Sequence, residues 1–116
     1  MYTKEEYAKD CQIHNDMRRL VDSDVNRLNY HLMAPAGWLN DPNGLVEKNG
    51  INHVYFQYTP FDAGWGIKSW GHYTTKDWLT YKEEEPFVFE DNSLDRDGAY
   101  RGSAIVIAGI IHYFYT

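Results

Sequence analysis

Two aromatic-rich segments, each placed after a tight turn, restrict this chain to a small set of folds. The first turn is Asn49-Gly50, which lies between apolar runs and is typical of a β-hairpin. After it, the residues of "HVYFQY" alternate between two faces with the period of a strand. The same order follows Ala108-Gly109, where His112 and a second aromatic strand come next. The sequence therefore predicts a repeated hairpin.

The spacing of the two hairpins indicates the kind of β-fold that they build. Gly50 and Gly109 are 59 residues apart, and "SWGHYTT" and "PFVFE" between them are predicted as further strands. About four strands within residues 44–90 suit one blade of a β-propeller, which takes roughly 40–50 residues. The chain stops at Thr116 inside an aromatic strand. We expect an all-β protein with one blade and the start of a second, and a complete β-sandwich is the alternative.

Composition and charge narrow the classes of partner. Of the 116 residues, 43% are hydrophobic and 16% aromatic, which is typical of a packed domain. A net charge of −6 without a Lys/Arg run argues against nucleic acid and anionic membranes as partners. Cys11 is the one cysteine and the first residues are polar, so we expect a cytoplasmic protein without a disulfide or a membrane span.

Residues 1–29 have the pattern of a helical arm. Thr3 and Glu6 have the spacing of a capping box at a helix start. Apolar residues then recur at helical steps, at Tyr7, Cys11, His14, Met17, Val21 and Leu28. The segment Asp22-Ser23-Asp24 either breaks this helix or caps a second one. We expect the arm to pack on the β-domain and to carry no chemistry.

The segment "GWLNDPNGL", residues 37–45, admits two interpretations. In the first, Asp41-Pro42-Asn43-Gly44 is simply a turn, since Pro suits the second turn position and Gly the exit. In the second, the turn serves to hold the carboxylate of Asp41, whose backbone is restricted by the proline after it. This segment by itself favours the first interpretation.

Several motifs occur in a fixed order along residues 30–116. They are "YHLMAPAGWLNDPNG", "YFQYTP", "WGIKSWGHYTTKDWLTY", "DRDGAYRGSAI" and "IHYFYT". Together they resemble the glycoside hydrolase family 32 enzymes, which include invertases, sucrose-6-phosphate hydrolases and fructan hydrolases. The resemblance implies a five-bladed β-propeller with its active site in the central funnel. It divides the chain into an arm, residues 1–29, and the N-terminal part of a propeller catalytic domain, residues 30–116, that continues beyond this chain.

The resemblance also implies roles for individual residues. Asp41 is implied to be the nucleophile of a retaining double displacement that hydrolyses the β-fructofuranosyl bond of sucrose, sucrose-6-phosphate or a short fructan. The other implied site residues all contact the sugar: Trp38, Leu39 and Asn40 beside the nucleophile, Gln57 and Trp65 around the fructosyl unit, and Tyr100 and Arg101 before a Gly-Ser pair.

Two departures from the family pattern leave alternatives open. The Arg-Asp-Pro motif and the Glu-Cys motif, whose Glu is the acid/base, do not occur in residues 1–116, so this chain alone is expected to be inactive. Arg101 stands where the family usually has Ser. It either crowds the subsite, pairs with Asp95 or Asp97, or selects an anionic group such as a sugar phosphate. The alternative functions are a non-catalytic relic or sugar-binding β-module, and a structural β-domain.

The remaining polar clusters predict no second site. Asp95-Arg96-Asp97-Gly98 begins like a calcium loop but lacks the later ligands, so we predict an exposed acidic turn. His53, His72 and His112 lack metal-ligand spacing, and His72 is predicted to pack or to hydrogen-bond within its blade. "KEEEP" is predicted as a solvated turn. We expect neither a metal nor a cofactor.

Overall fold

The fold is known from a computed structural model, which describes residues 3–61, 63–64, 66–88 and 93–116. The chain starts with two short helices, α1 (Lys4–Ile13) and α2 (Asn15–Asp22). Thr3 Oγ1 accepts a hydrogen bond from the Glu6 N–H at 3.1 Å, and Glu6 Oε2 accepts one from the Thr3 N–H at 2.7 Å. The predicted capping box is therefore confirmed.

The helical arm ends at the Asp22-Ser23-Asp24 segment, the first of the two alternatives that the sequence left open there. Helix α2 ends at Asp22, so residues 23–29 are not helical, and none of its eight residues is buried. Contacts between the arm and the β-domain include the Arg18 guanidinium, which donates to the Glu83 carboxylate, and His14, which stacks on Phe61 at 5.0 Å between ring centroids. Within the described part of the chain, no helix is long and apolar enough to cross a membrane.

The first sheet contains four antiparallel strands in sequence order. They are β1 (Trp38–Lys48), β2 (Ile51–Thr59), β3 (Ser69–Thr75) and β4 (Lys82–Val88). Asn49 and Gly50 join β1 to β2 with φ angles of 55° and 75°, the positive pair that a two-residue hairpin loop requires. The first predicted hairpin is confirmed. Each strand pairs with the next, which is the arrangement within a propeller blade.

The prediction of a turn at Asp41-Pro42-Asn43-Gly44 is wrong, because these residues lie inside β1. Strand β1 is at the edge of its sheet, where a proline is tolerated. Two register shifts, between Asn40 and Pro42 and between Asn43 and Val46, accommodate the irregular residues. The segment that has turn composition is therefore a doubly bulged edge strand.

The prediction of a solvated turn at "KEEEP" is also wrong. Residues Lys82–Val88 form β4, the other edge of the sheet, and the predicted "PFVFE" strand supplies its last residues, with Phe89 and Glu90 outside the described residues. Charged side chains and a proline are tolerated on an edge strand, where they oppose pairing with other chains. Composition alone does not separate such a strand from a turn.

The second predicted hairpin is confirmed as β5 (Gly102–Ile107) and β6 (Ile110–Tyr115). Ala108 and Gly109 form its turn with φ angles of 50° and 77°. The hairpin lies against the first sheet, with the Tyr55 and Tyr113 hydroxyls 2.5 Å apart. The prediction of an exposed acidic turn at residues 95–98, before this hairpin, is wrong for Asp95. This residue is buried, and its Oδ2 accepts a hydrogen bond from the Tyr115 hydroxyl at 3.3 Å.

Apolar side chains cover both faces of the first sheet. One cluster of buried residues faces the segment before β1 and comprises Val54, Phe56, Tyr58 and Tyr73. The other faces the second hairpin and comprises Tyr55, Trp70, Val88 and Ala99. A sheet buried on both faces is typical of a blade that packs between neighbours.

Candidate active site

A bulge in β1 brings two polar side chains to the same side of the sheet. Asn40 pairs with Gln57 and Pro42 pairs with Phe56, so Asp41 is an extra residue without a partner in the register. In a regular strand, Asn40 and Asp41 would point to opposite faces. Because of the bulge, both line one open cavity of about 410 Å³.

A chain of hydrogen bonds fixes the side of this cavity that carries the amide groups of Asn40 and Gln57. Gln57 is 2% exposed, and its Oε1 accepts a hydrogen bond from Asn40 Nδ2 at 2.6 Å. Asn40 Oδ1 in turn accepts one from Trp38 Nε1 at 2.9 Å. Amides present both donors and acceptors, which suits the hydroxyl groups of a sugar.

The segment before β5 supplies the other side of the cavity, with Tyr100 and Arg101. Trp70, which is fully buried, donates from Nε1 to the Tyr100 carbonyl at 2.6 Å. The Gly102 N–H donates to Asn43 Oδ1 at 3.3 Å. The first sheet therefore fixes the backbone on both sides of Arg101.

Arg101 and Asp41 form an ion pair across the cavity. Arg101 Nε donates to Asp41 Oδ2 at 3.0 Å, with 40% of the Asp41 side chain exposed. The hydrogen bond from Arg101, then its positive charge, holds the pKa of Asp41 below the ordinary value. The carboxylate is thus ionised near neutral pH, which a nucleophile requires.

The structure brings together most of the residues implied for the site. Asn40, Asp41, Gln57, Tyr100 and Arg101 line the cavity, and Trp38 lies next to it through its bond to Asn40. Leu39 is on the opposite face of the sheet and packs against the Phe56 cluster. Trp65 lies outside the described residues.

Sequence reasoning did not single out Asn43, Trp70 or Thr116. Asn43 is 2% exposed, and among the described residues its Nδ2 has no hydrogen-bond partner. Trp70 positions Tyr100, and Thr116 lines the cavity. For Trp70, the Trp-Gly pair in "SWGHY" was a usable indication of close packing. A Cβ added to Gly71 would clash with the Phe56 ring, and one added to Gly102 would clash with the Trp70 ring.

The histidines form no metal centre in the part of the chain that is described, where no three His, Cys, Asp or Glu residues are placed to hold a metal ion. His53 Nδ1 and His72 Nε2 are 3.0 Å apart, and Tyr55 stacks on His72 at 4.3 Å. The prediction that His72 packs and hydrogen-bonds within its blade is confirmed.

Comparison with known proteins identifies the family of this chain. Residues 31–116 match the model of the glycosyl hydrolases family 32 N-terminal domain, so the chain belongs to this family. It is 43% identical to a sucrose-6-phosphate hydrolase of Bacillus subtilis over 97 residues, which cover 84% of this chain and 20% of the relative.

Solved structures agree with this assignment. The sucrose-6-phosphate hydrolase of Lactobacillus gasseri matches with a TM-score of 0.82 at 33% identity, over 96% of this chain and 24% of that one. Fructan 1-exohydrolase IIa of Cichorium intybus matches with a TM-score of 0.71 at 31% identity, over 75% and 17%. These are β-propeller enzymes, so the prediction of an all-β propeller fold, here the first blade and the start of the second, is confirmed. The chain spans about a fifth of the length of the curated relatives that it matches.

Proposed function

We propose that the protein is a glycoside hydrolase that cleaves the β-fructofuranosyl bond of sucrose or sucrose-6-phosphate, with Asp41 as its nucleophile. Residues 30–116 then form the N-terminal part of the catalytic propeller, and residues 1–29 form an arm outside it. The observation that carries the proposal is the ionised Asp41 carboxylate in a cavity shared with Asn40 and Gln57. The cytoplasmic location also stays a prediction.

The geometry suits attack on a fructosyl unit. Asp41 lies at the bulge and its carboxylate is half-exposed, so a ligand has access to it. Asn40 and Gln57 offer amide groups to sugar hydroxyls, and Tyr100 contributes an aromatic ring to the lining. The cavity is large enough for a sugar unit and contains no run of basic residues that would favour nucleic acid.

The proposed reaction has two steps. In the first, an Asp41 oxygen bonds to the anomeric carbon while the bond to the leaving sugar breaks, and an acid/base carboxyl protonates the leaving oxygen. In the second, water attacks the same carbon, the ester bond to Asp41 breaks, and the acid/base takes up the proton of the water. Retention of configuration follows from the two displacements.

The second carboxyl group has to come from outside the described cavity. Retaining enzymes place their two carboxyl groups about 5–5.5 Å apart. Among the described residues that line the cavity, Asp41 contributes the one side-chain carboxylate. We therefore propose that residues 1–116 alone do not turn over sucrose.

Asp41→Asn in the full-length protein tests the proposal. The amide keeps the size of the side chain but is a far weaker nucleophile, so we expect fructose release from sucrose and sucrose-6-phosphate to fall by at least about a thousandfold. Asp97→Asn is the matched control, because Asp97 is 87% exposed on a loop outside the cavity, and it should retain wild-type turnover. Equal turnover by the Asp41 variant, with an unchanged circular dichroism spectrum, contradicts the assignment.

A non-catalytic sugar-binding module makes a different prediction. It would bind fructosides without releasing fructose, both as the wild-type protein and as the Asp41 variant. Comparison of sucrose, sucrose-6-phosphate and inulin as substrates of the wild-type protein distinguishes the enzyme from the binding module and ranks the three substrates.

A further inference from the structure

Among the residues that line the cavity, Arg101 departs most from the motifs of the family, which usually have Ser at this position. Its guanidinium pairs with Asp41, not with Asp95 or Asp97. Asp97 is instead bonded to Arg96, at 3.3 Å between Nε and Oδ2. Of the described side chains that line the cavity, Arg101 is the one cation and Asp41 the one anion.

The backbone of Arg101 is held from three directions. Its carbonyl accepts a hydrogen bond from the Thr116 N–H at 3.1 Å. The preceding carbonyl, of Tyr100, accepts from buried Trp70, and the following N–H, of Gly102, donates to buried Asn43. The backbone from which the side chain starts is therefore fixed, while the side chain itself is 82% exposed and is restrained by its bond to Asp41.

The contact with Asp41 is also directional. A guanidinium N–H on a carboxylate oxygen is a charge-assisted hydrogen bond, stronger and more oriented than contact with a hydroxyl. Through Nε, Arg101 engages one oxygen of the carboxylate, Oδ2. The bulge gives Asp41 no register partner on β2, so Arg101 supplies a restraint that the sheet lacks.

We propose that Arg101 is a positioning residue, which holds Asp41 Oδ2 so that the other carboxylate oxygen faces the anomeric carbon of the substrate. This inference rests on the proposed function, because it concerns how the nucleophile is presented. Arg101 does not take part in the bond changes. It fixes the angle of attack and stabilises the ionised form of Asp41.

The test compares Arg101→Ser, Arg101→Lys and Arg96→Ser in the full-length protein. Arg96 is the matched control, because it is also an exposed arginine whose Nε binds an aspartate Oδ2, but it lies outside the cavity. For Arg101→Ser we expect kcat on the preferred fructoside to fall about three- to fivefold, with KM within about twofold, since solvent weakens an ion pair whose arginine side chain is 82% exposed. Arg96→Ser should match the wild type.

The pH profile separates positioning from a structural effect. Arg101 lowers the pKa of Asp41, so Arg101→Ser should move the acid limb of kcat/KM to higher pH. Arg101→Lys keeps the charge and loses the Nε bond, so its acid limb should lie between those of the wild type and the Ser variant. Unchanged kcat and acid limb in Arg101→Ser, or a faster Ser variant, overturn the inference.

A measurement without turnover keeps the two proposals distinguishable. In protein labelled with ¹³C at the aspartate carboxyl, the Asp41 signal, assigned by its loss in Asp41→Asn, should titrate at higher pH in Arg101→Ser than in the wild type. If the wild-type protein releases no fructose, the proposed function fails, and this titration alone decides whether Arg101 holds the Asp41 carboxylate. Coincident Asp41 titration curves for the wild type and Arg101→Ser would refute the proposal that Arg101 holds this carboxylate.

Discussion

At the scale of single residues, Gln57 sets the geometry of the polar side of the cavity. It lies on β2, is almost fully buried, and accepts a hydrogen bond from Asn40, which accepts one from Trp38. Removal of a buried partner leaves the other group unsatisfied at the full cost of its desolvation. The stability of β1 and the shape of the cavity are therefore linked through one side chain.

Gln57→Leu tests this link. The substitution keeps approximate size and leaves Asn40 Nδ2 without its acceptor, so we expect the free energy of unfolding to fall by about 1–3 kcal/mol. KM for the fructoside should also rise, because the proposed function assigns sugar binding to both amides. Urea denaturation and initial rates measure the two effects, with exposed Gln12→Leu on α1 as the control. An unchanged unfolding midpoint and KM would show that the hydrogen-bonded chain has no energetic role.

Which residue contacts could be predicted from sequence depends on their separation along the chain. Asp41 and Gln57 were selected through the resemblance of their motifs to the family, since the segment around Asp41 by itself favoured a simple turn. The pair of Arg101 with Asp41 joins residues 60 positions apart, and the only ion-pair partners that sequence reasoning considered were the nearby Asp95 and Asp97. Only the packing of the hairpin on the first sheet decides between them.

At the scale of elements, the second hairpin is held by close packing on Trp70. A Cβ added to Gly102 would lie 2.5 Å from both the Phe114 carbonyl oxygen and Trp70 Cζ2. Neither neighbour can move freely, since one is backbone and the other is a fully buried ring. A glycine is therefore required at the first residue of β5.

Gly102→Ala should destabilise the protein by about 1–3 kcal/mol, the usual cost of overpacking. It should also lower turnover, because Arg101 directly precedes the displaced strand. Ser103→Ala, at an exposed position on the same strand, is the control and should have little effect. Thermal unfolding monitored by Trp fluorescence gives the difference, and an equal midpoint for the two variants would exclude a steric role for Gly102.

The pair of His53 on β2 and His72 on β3 makes the stability of these strands depend on pH. Burial, then the proximity of His53, lowers the pKa of His72 to about 4, and burial also lowers the pKa of His53. Neutral rings are thus favoured in the folded state. Their contribution to stability is complete above the unfolded value of 6.5 and is lost as the pH falls towards 4.

Titration of ¹³C-labelled histidine by NMR checks this prediction. The His72 signal should stay in its neutral position down to about pH 5, and stability should decrease between pH 7 and 5. His72→Gln should reduce that decrease, whereas His112→Gln, at an exposed position on β6, should leave it as in the wild type. Protonation of His72 near pH 6.5 would contradict the account.

Element boundaries show what a local sequence pattern can and cannot specify. The two hairpin turns were predicted correctly because paired positive φ angles require particular residues, as at Asn49-Gly50. The "DPNG" and "KEEEP" segments were assigned as turns although both lie in edge strands. Proline and charge suit turns and sheet edges alike, so the neighbouring strands decide between them.

At the scale of the whole molecule, the hairpin spacing was enough to predict a propeller blade. The fold follows because four strands connected in sequence order leave two apolar faces, which are covered by the preceding segment and by the second hairpin. The position of the arm was less predictable, because a helical pattern does not specify which distant residue, such as Glu83, the arm contacts. The position of the cavity follows from the blade and the hairpin together, since each supplies part of its lining.

The most direct test of the central claim is peptide mass spectrometry on the full-length protein, acid-quenched during turnover of saturating substrate. If Asp41 is the nucleophile, the peptide that contains residues 38–48 will carry the added mass of one fructosyl unit on Asp41. The adduct should be absent from Asp41→Asn. A fructosyl ester on a different carboxylate, during normal turnover, would contradict the account.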